Sequence, residues 1–174
     1  YTTLTNKDVP KILAVIDMAI NYNNTPETPI GWDYETNTIS GTKKTSKILT
    51  TSLTFTEGTG ITFPIDHPDS PLSPEDRAKV IAKLIELYQS DTYLVGHNIT
   101  FDEFQTKSIF GPVQFKSTLD TLVAYYILVS QDETVSKDLK SLAIQYTDMG
   151  EYAAPLDEFK SWFNLGFTRS RGAK

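Results

Sequence analysis

The chain has 174 residues, and its 16 basic and 22 acidic side chains give a formal net charge of −6. No cysteine is present, which excludes a disulfide framework and a cysteine-ligated zinc site. Hydrophobic residues make up 39% of the chain, enough for one globular domain, whereas no apolar run approaches the roughly 20 residues of a membrane span. The acidic balance argues against coating of DNA by simple charge attraction and leaves the binding of hard cations open.

The first half of the chain predicts one helix followed by three strands. Apolar residues recur at helical spacing within residues 7–22, and the Asn-, Thr- and Pro-rich segment 21–29 predicts a loop. Alternating apolar and polar side chains predict a strand over Ile30–Thr36. Two further alternating runs, 49–55 and 61–65, flank a glycine-containing turn and predict a hairpin.

The second half predicts helices that alternate with short strands. Ser73 as the cap, Pro74 at the first helical position and acidic residues in the first turn predict a helix that continues to Tyr88. The remaining predicted elements are short strands ending at 96 and 116 and helices over 100–109, 118–129 and 137–146. This order of elements predicts an α/β fold in which helices flank a mixed sheet.

Two carboxylates lie on the polar face of the predicted strand Ile30–Thr36. Asp33 and Glu35 are two residues apart, so both side chains leave the same face. Adjacent carboxylates repel each other unless a cation lies between them or one is protonated, and Mg²⁺ takes carboxylate oxygens as ligands. A solvated strand face is the alternative for this pair taken alone.

A third acidic residue follows the predicted strand that ends at Gly96. The sequence GHNITFD at 96–102 leads from the strand into a helix, and α/β proteins bind ligands at such strand ends. The alternative is that Asn98 or Thr100 caps the helix and Asp102 complements the helix dipole. Asp120, at the start of the next helix, is interpreted first as a cap, with a catalytic role as the alternative.

Four segments resemble, in the same order, the motifs of a known enzyme family. The segments are WDYET at 32–36, GHNITFD at 96–102, LDTLVAYYIL at 119–128 and KDLKSLA at 137–143. They resemble the DEDD-type 3′–5′ exonucleases, in particular the proofreading domain of family A, polymerase I-like DNA polymerases, including those of phages. The resemblance covers roughly residues 10–147 and implies a ribonuclease H-like fold, a mixed sheet with flanking helices.

The resemblance also implies a set of metal ligands. Asp33 and Glu35 would bind one Mg²⁺ or Mn²⁺ ion, and Asp33 together with Asp102 would bind a second. Two-metal sites activate a water molecule and stabilise the leaving oxygen of an in-line displacement. The implied reaction is hydrolysis of the 3′-terminal phosphodiester of single-stranded DNA.

Substrate contacts and partners follow from the same resemblance. Thr36 and Asn98 would contact the 3′-terminal nucleotide, and His97 and Phe101 are further candidates for substrate binding. The implied partners are the 3′ end of single-stranded DNA and a C-terminal polymerase domain or subunit. No membrane association is expected, and the implied location is the cytoplasm, that of the host if the source is viral.

The family's third motif, Tyr-x-x-x-Asp, does not occur after the KDLKSLA segment. Tyr152 and Asp157 come nearest, but they are one residue too far apart, and Pro155 lies between them. We therefore expect residues 1–174 to form a single exonuclease-like domain truncated before its last helix, or else Asp148 or Asp157 to substitute for the missing acid. With three carboxylates and no motif tyrosine, the isolated piece is expected to be weakly active or inactive.

Two other functions are compatible with these residues. An RNA-trimming exonuclease would carry the same carboxylates. RNA is distinguished from DNA by its 2′-hydroxyl, and no single residue of the sequence indicates a contact with that group. A non-catalytic nuclease-like domain, which binds single strands or spaces a polymerase, fits the missing third motif. The retained set of Asp33, Glu35 and Asp102 argues against this second alternative.

Overall fold

The structure is a computed structural model, and it describes residues 1–39, 45–129, 131–132, 134–152, 154–155 and 158. The polar segment 38–47, in which Gly41 predicts a turn, lies partly outside these residues, and Asp157 lies outside them as well. The chain divides into two compact units, Tyr1–Ala124 and Tyr125–Lys174.

The first unit is built on a six-stranded mixed sheet. Its strands are β1 (Thr2–Thr3), β2 (Ile30–Thr36), β3 (Ile48–Thr54), β4 (Ile61–Pro64), β5 (Leu94–Gly96) and β6 (Thr118–Asp120). Their order across the sheet is β1-β4-β3-β2-β5-β6. β2 pairs antiparallel with β3 on one side and parallel with β5 on the other. The sheet therefore changes from antiparallel to parallel pairing at β2.

Five helices have defined bounds within the described part of the chain: α1 (Val9–Ile20), α2 (Pro74–Gln89), α3 (Ile99–Phe110), α4 (Thr121–Leu128) and α5 (Leu139–Tyr146). The start of α2 is as predicted, because the Ser73 hydroxyl accepts the backbone N–H of Asp76 at 3.1 Å and Pro74 opens the helix. No helix among the described residues is both long and apolar enough to cross a membrane.

The hydrophobic core of the first unit lies against one face of the sheet. Ile30, Trp32 and Tyr34 of β2 are buried, at 0%, 3% and 5% exposure, so the predicted alternation of this strand is confirmed. α1 and α2 contribute buried side chains to the same cluster. The ring of Trp32 also packs on Tyr88 of α2 and on Phe115, with ring centroids 4.9 and 5.5 Å apart. Phe115 is partly buried and packs against this core.

The predicted α/β fold is confirmed, with corrections to three elements. The strand predicted to end at Phe115-Lys116 lies instead at Thr118–Asp120, where it pairs in parallel with Leu94–Gly96. The helix predicted to begin at Thr118 consequently begins at Thr121. A short strand that the sequence did not predict, Thr2–Thr3, pairs in parallel with β4. In each case the pairing with a distant strand decides the local conformation.

The second unit contains the end of α4 and all of α5. The helix predicted over 137–146 is confirmed as Leu139–Tyr146, and the Asp138 carboxylate caps it by accepting the backbone N–H of Ser141 at 3.0 Å. The rings of Tyr125 and Tyr146 meet edge to face, with centroids 6.1 Å apart. Asp148 and Tyr152, which the third-motif alternatives involve, are both exposed in this unit.

Candidate active site

β2 carries the first two predicted site residues on its solvent-facing side. Asp33 and Glu35 are exposed, whereas their neighbours Trp32 and Tyr34 point into the core. The pairing of β2 with β3 shifts register between Glu35 and Thr36, directly after the two carboxylates. Irregularities of this kind are common beside active sites, where they change the direction of the side chains that follow.

The turn from β5 into α3 brings the third predicted carboxylate to the sheet. β5 pairs with β2 only at its first two residues, and α3 begins three residues after Gly96 ends the strand. Asp102 lies in the first turn of α3 and is only 4% exposed. A Cβ atom on Gly96 would lie 3.0 Å from the carbonyl oxygen of Trp32 and 3.2 Å from the Ile99 side chain. Glycine therefore permits the close approach of β5 to β2 that places Asp102 near the carboxylates of β2.

Asn98 forms the bend between β5 and α3. Its backbone is left-handed, with φ 59° and ψ 41°, and it is the one non-glycine residue with positive φ among the described residues. Asparagine tolerates this conformation better than most residues. Its side chain makes no capping hydrogen bond to α3, so the alternative in which the Asn98 side chain caps the helix is wrong. Its backbone N–H instead donates to the Oδ1 atom of Asp120 at 2.9 Å.

The carboxylates of the site perturb one another. Partial removal from water, followed by the charge of Glu35, raises the pKa of Asp33 to about 6. Burial, followed by the charge of Asp33, raises the pKa of Asp102 to about 7, and Asp120 adds a smaller effect. The backbone N–H of Tyr34 favours the charged form of both aspartates and opposes these shifts. Asp33 thus interacts electrostatically with both Glu35 and Asp102.

These carboxylates suit a hard cation by their chemistry. Their raised pKa values reflect the cost of bringing negative charges together away from water, and a divalent cation between them removes that cost. Across the residues that the structure describes, no group of three or more histidine, aspartate or glutamate side chains is arranged closely enough to hold a metal ion. The site therefore provides neighbouring carboxylates in electrostatic contact and not a closed ligand cage.

The four predicted substrate-binding residues lie close to these carboxylates in the sequence. Thr36 ends β2, and its hydroxyl donates to the carbonyl oxygen of Thr38 at 2.9 Å. His97, Asn98 and Phe101 lie together around the β5–α3 turn. Of these, Asn98 is exposed and the other two are half-buried. Their contacts with a nucleotide stay a prediction.

A buried hydroxyl network lies behind the carboxylates and joins α3 to β2. The Tyr34 hydroxyl contacts the hydroxyl of Tyr88 and lies 3.1 Å from that of Thr106. The Thr106 hydroxyl also lies 2.8 Å from the backbone carbonyl oxygen of Asp102. No pattern in the sequence predicts this network, because Tyr34 and Tyr88 carry only the apolar signal of core positions.

Asp120 has a second contact that the sequence analysis did not predict. Its interpretation as a cap is confirmed, because Oδ1 accepts the backbone N–H of Leu122 at 2.9 Å at the start of α4. The same oxygen accepts the N–H of Asn98, 22 residues earlier in the chain. The position of this aspartate within the LDTLVAYYIL segment was the only available signal.

The fold and the site together define a class of protein. A mixed sheet with Asp33 and Glu35 on β2, and with Asp102 in the first turn of α3, agrees with what the motif resemblance implies for a ribonuclease H-like exonuclease. A family model described as 3′–5′ exonuclease, of the DNA polymerase A type, matches residues 11–161, and the chain belongs to this family. The family assignment made from the motifs is confirmed.

Individual relatives agree with this assignment. The DNA polymerase of Escherichia phage T5 is 28% identical to the chain over 137 residues, which are 76% of this chain and 15% of that polymerase. The chain therefore spans about 15% of the length of the curated relative it matches.

Two solved structures share the fold at low sequence identity. The POL domain of Pol1 from M. smegmatis, in complex with DNA primer-template and dNTP, is 16% identical, with a TM-score of 0.55 over 84% of this chain and 22% of that one. S. pombe Pop2p, in its Mg²⁺- and Mn²⁺-bound form, is 13% identical, with a TM-score of 0.53 over 98% of this chain and 96% of that one.

Proposed function

We propose that this exonuclease domain hydrolyses the 3′-terminal phosphodiester of single-stranded DNA at a site formed by Asp33, Glu35 and Asp102. The observation that carries this proposal is the pairing of β5 with β2, which brings Asp102 in the first turn of α3 toward Asp33, whose charge raises the pKa of Asp102. Both aspartates have pKa values raised to near neutrality, so the metal-free site disfavours the ionised form of each carboxyl. Side chains arranged in this way favour a divalent cation as their counter-ion.

The three carboxylates would share two Mg²⁺ or Mn²⁺ ions, with Asp33 contributing to both. Bound ions of this kind supply an activated water molecule and neutralise charge on a phosphodiester. The carboxylates themselves bind and orient, and they need no acid–base role. The metal-bound form of S. pombe Pop2p, which shares the fold, supports the choice of these cations.

The residues around the β5–α3 turn would contact the 3′-terminal nucleotide. Asn98 presents an exposed amide, and Phe101 presents a half-buried ring on which a base can stack. Thr36 and His97 would complete the contacts from the end of β2 and from the same turn. An acidic chain can bind DNA in this way, because the cations reverse the local charge.

The domain would act for a DNA polymerase that lies in the same chain or in a partner subunit. The relative from phage T5 is a DNA polymerase of which this chain matches only 15%. A single-strand 3′ end passed from a polymerase site is the natural substrate of a proofreading nuclease. Single-stranded DNA is therefore proposed as the substrate, with RNA as the comparison in the assay.

The test is a titration of the chain with Mn²⁺, followed by electron paramagnetic resonance, for the wild type and D33A. Binding is expected for the wild type, and D33A is expected to lose it because Asp33 contributes to both proposed ions. E57A is the matched control, since Glu57 is an exposed acid in the β3–β4 turn, at the end of the sheet away from Glu35.

Cleavage of 5′-labelled single-stranded DNA is the second measurement. Mg²⁺-dependent shortening from the 3′ end, lost in D33A and kept in E57A, is the expected result, with a low rate because the sequence lacks Tyr-x-x-x-Asp. Equal cleavage of DNA and RNA oligonucleotides would contradict the proposed substrate. Absence of Mn²⁺ binding would favour the non-catalytic alternative.

A further inference from the structure

We propose that Asp120 and Thr121 are positioning residues, which hold the β5–α3 turn so that Asp102 meets Asp33. Both lie at the junction of β6 and α4, and neither belongs to the proposed metal ligands or nucleotide contacts. The inference deepens the proposed function, on which its effect on metal binding rests. The contacts themselves are independent of that function.

The carboxylate of Asp120 joins two elements that are distant in the sequence. Its Oδ1 atom accepts the N–H of Leu122, as an ordinary helix cap does, and also the N–H of Asn98, both at 2.9 Å. Hydrogen bonds to a charged carboxylate are stronger than those between neutral groups. The second bond reaches the one described non-glycine residue that has a left-handed backbone. Asp120 therefore supports the least favourable backbone conformation in the site.

Thr121 holds the two residues that precede Asn98. Its hydroxyl donates to the carbonyl oxygen of Gly96 at 3.1 Å and lies 3.0 Å from Nδ1 of His97. A hydroxyl has a single hydrogen, so when it is given to the Gly96 carbonyl, Nδ1 of His97 is the donor in the second contact. Three successive residues of the turn are thus each bound by one of two adjacent residues, Asp120 or Thr121.

The position of Asp102 depends on this turn. Asp102 lies four residues after Asn98, in the first turn of α3, so the backbone angles of Asn98 set the direction in which α3 leaves the sheet. Without the two anchors, Asn98 is expected to relax toward a commoner backbone conformation and to displace Asp102 relative to Asp33. Displacements of about 1 Å in catalytic groups can reduce rates by about 10²-fold.

The negative charge of Asp120 must be separated from its positioning role, because it also acts on Asp102. D120N keeps an acceptor oxygen but removes the charge, whereas D120A removes both. T121V removes the hydroxyl, and T121S restores it. S73A is the matched control, since the Ser73 hydroxyl also caps a helix by accepting the backbone N–H of Asp76 at the start of α2, outside the β5–α3 turn.

Two quantities are measured on the full 174-residue chain. The first is amide hydrogen exchange of Asn98 in metal-free protein, by NMR, which reports its bond to Asp120 directly. The second is Mn²⁺ affinity, for which loss of a residue that orients a ligand typically costs about 10–100-fold. D120A is expected to exchange at least about tenfold faster at Asn98 and to bind Mn²⁺ at least about tenfold more weakly.

The variants distinguish the possible outcomes. D120N and T121S are expected to stay within about threefold of the wild type in Mn²⁺ affinity, and T121V is expected to follow D120A. One contrary outcome is that D120A leaves the amide exchange of Asn98 and the Mn²⁺ affinity unchanged and loses only as much stability as S73A does. Asp120 would then be only a helix cap, and the inference would be wrong. If D120N weakens Mn²⁺ binding as much as D120A, charge accounts for the effect and the inference is also wrong. If neither the wild type nor any variant binds Mn²⁺, the proposed function fails. The rate of amide hydrogen exchange at Asn98 then decides alone whether Asp120 and Thr121 hold the turn.

Discussion

Replacing Asp102 with asparagine is expected to make the metal-free protein more stable at alkaline pH while weakening divalent-metal binding. Asp102 is 4% exposed as a whole residue, and burial together with the charge of Asp33 raises the pKa of its carboxyl from 3.8 to about 7. The folded protein therefore holds this proton more tightly than the unfolded chain does. Asparagine has the same shape as the protonated acid but never acquires the charge.

The raised pKa determines the direction of the pH dependence. Below a pH of about 4 the carboxyl is protonated in both states, so its full contribution to stability is present. As the pH rises toward 7, the unfolded chain releases the proton while the folded protein keeps it, and stability is lost until the folded carboxyl also ionises. Stability of the metal-free wild type therefore falls between pH 4 and pH 7 because of Asp102.

The magnitude follows from the two pKa values. A difference between 3.8 and about 7 corresponds to about 4 kcal/mol, at about 1.4 kcal/mol for each tenfold change in the dissociation constant. About 3 kcal/mol of this accumulates between pH 5 and pH 8, because the loss ends once the folded carboxyl is ionised. D102N is expected to gain this amount relative to the wild type over that interval. Comparison across pH cancels any effect of the amide that does not depend on pH.

The assay is urea denaturation in the presence of EDTA, at several pH values from 5 to 8, for the wild type, D102N and D69N. Asp69 is exposed and serves as the control for removal of one surface charge. Parallel stability curves for the wild type and D102N would refute the reasoning, since they would mean that Asp102 has no raised pKa. Adding Mn²⁺ at pH 8 is expected to stabilise the wild type and to leave D102N nearly unchanged.

Two further predictions concern the scaffold of the site. G96A is expected to lose about 1–3 kcal/mol of unfolding free energy in urea, because the added Cβ atom would lie 3.0 Å from the carbonyl oxygen of Trp32; unchanged stability would mean that β5 can move away from β2 at no cost. Y34F removes the hydroxyl that contacts Tyr88 and Thr106; Thr106 keeps its bond to the carbonyl oxygen of Asp102, whereas the buried Tyr88 hydroxyl loses its Tyr34 partner, which should cost about 1–3 kcal/mol in the same assay. A neutral Y34F would show that the network does not hold α3.

Local patterns in the sequence determined much of the fold. The alternation over Ile30–Thr36 placed Asp33 and Glu35 on one face, and burial of the opposite face confirms it. The Ser-Pro-acid signal located the start of α2, because a cap, a fixed φ angle and first-turn charges act within a few residues of one another. The four motif segments identified the exonuclease family without any structural information.

Contacts between distant segments were decided only by the tertiary structure. The periodicity of residues 118–129 is compatible with one helix, yet pairing with β5 converts Thr118–Asp120 into a strand. The left-handed backbone of Asn98 has no local signature in the sequence, and neither has the hydrogen bond that Asp120 accepts from it. Both require two segments that are 22 residues apart to meet in one register. The raised pKa of Asp102 has the same origin. Local sequence specifies which side chains are available, but burial and the charge of Asp33 arise only when α3 docks beside β2.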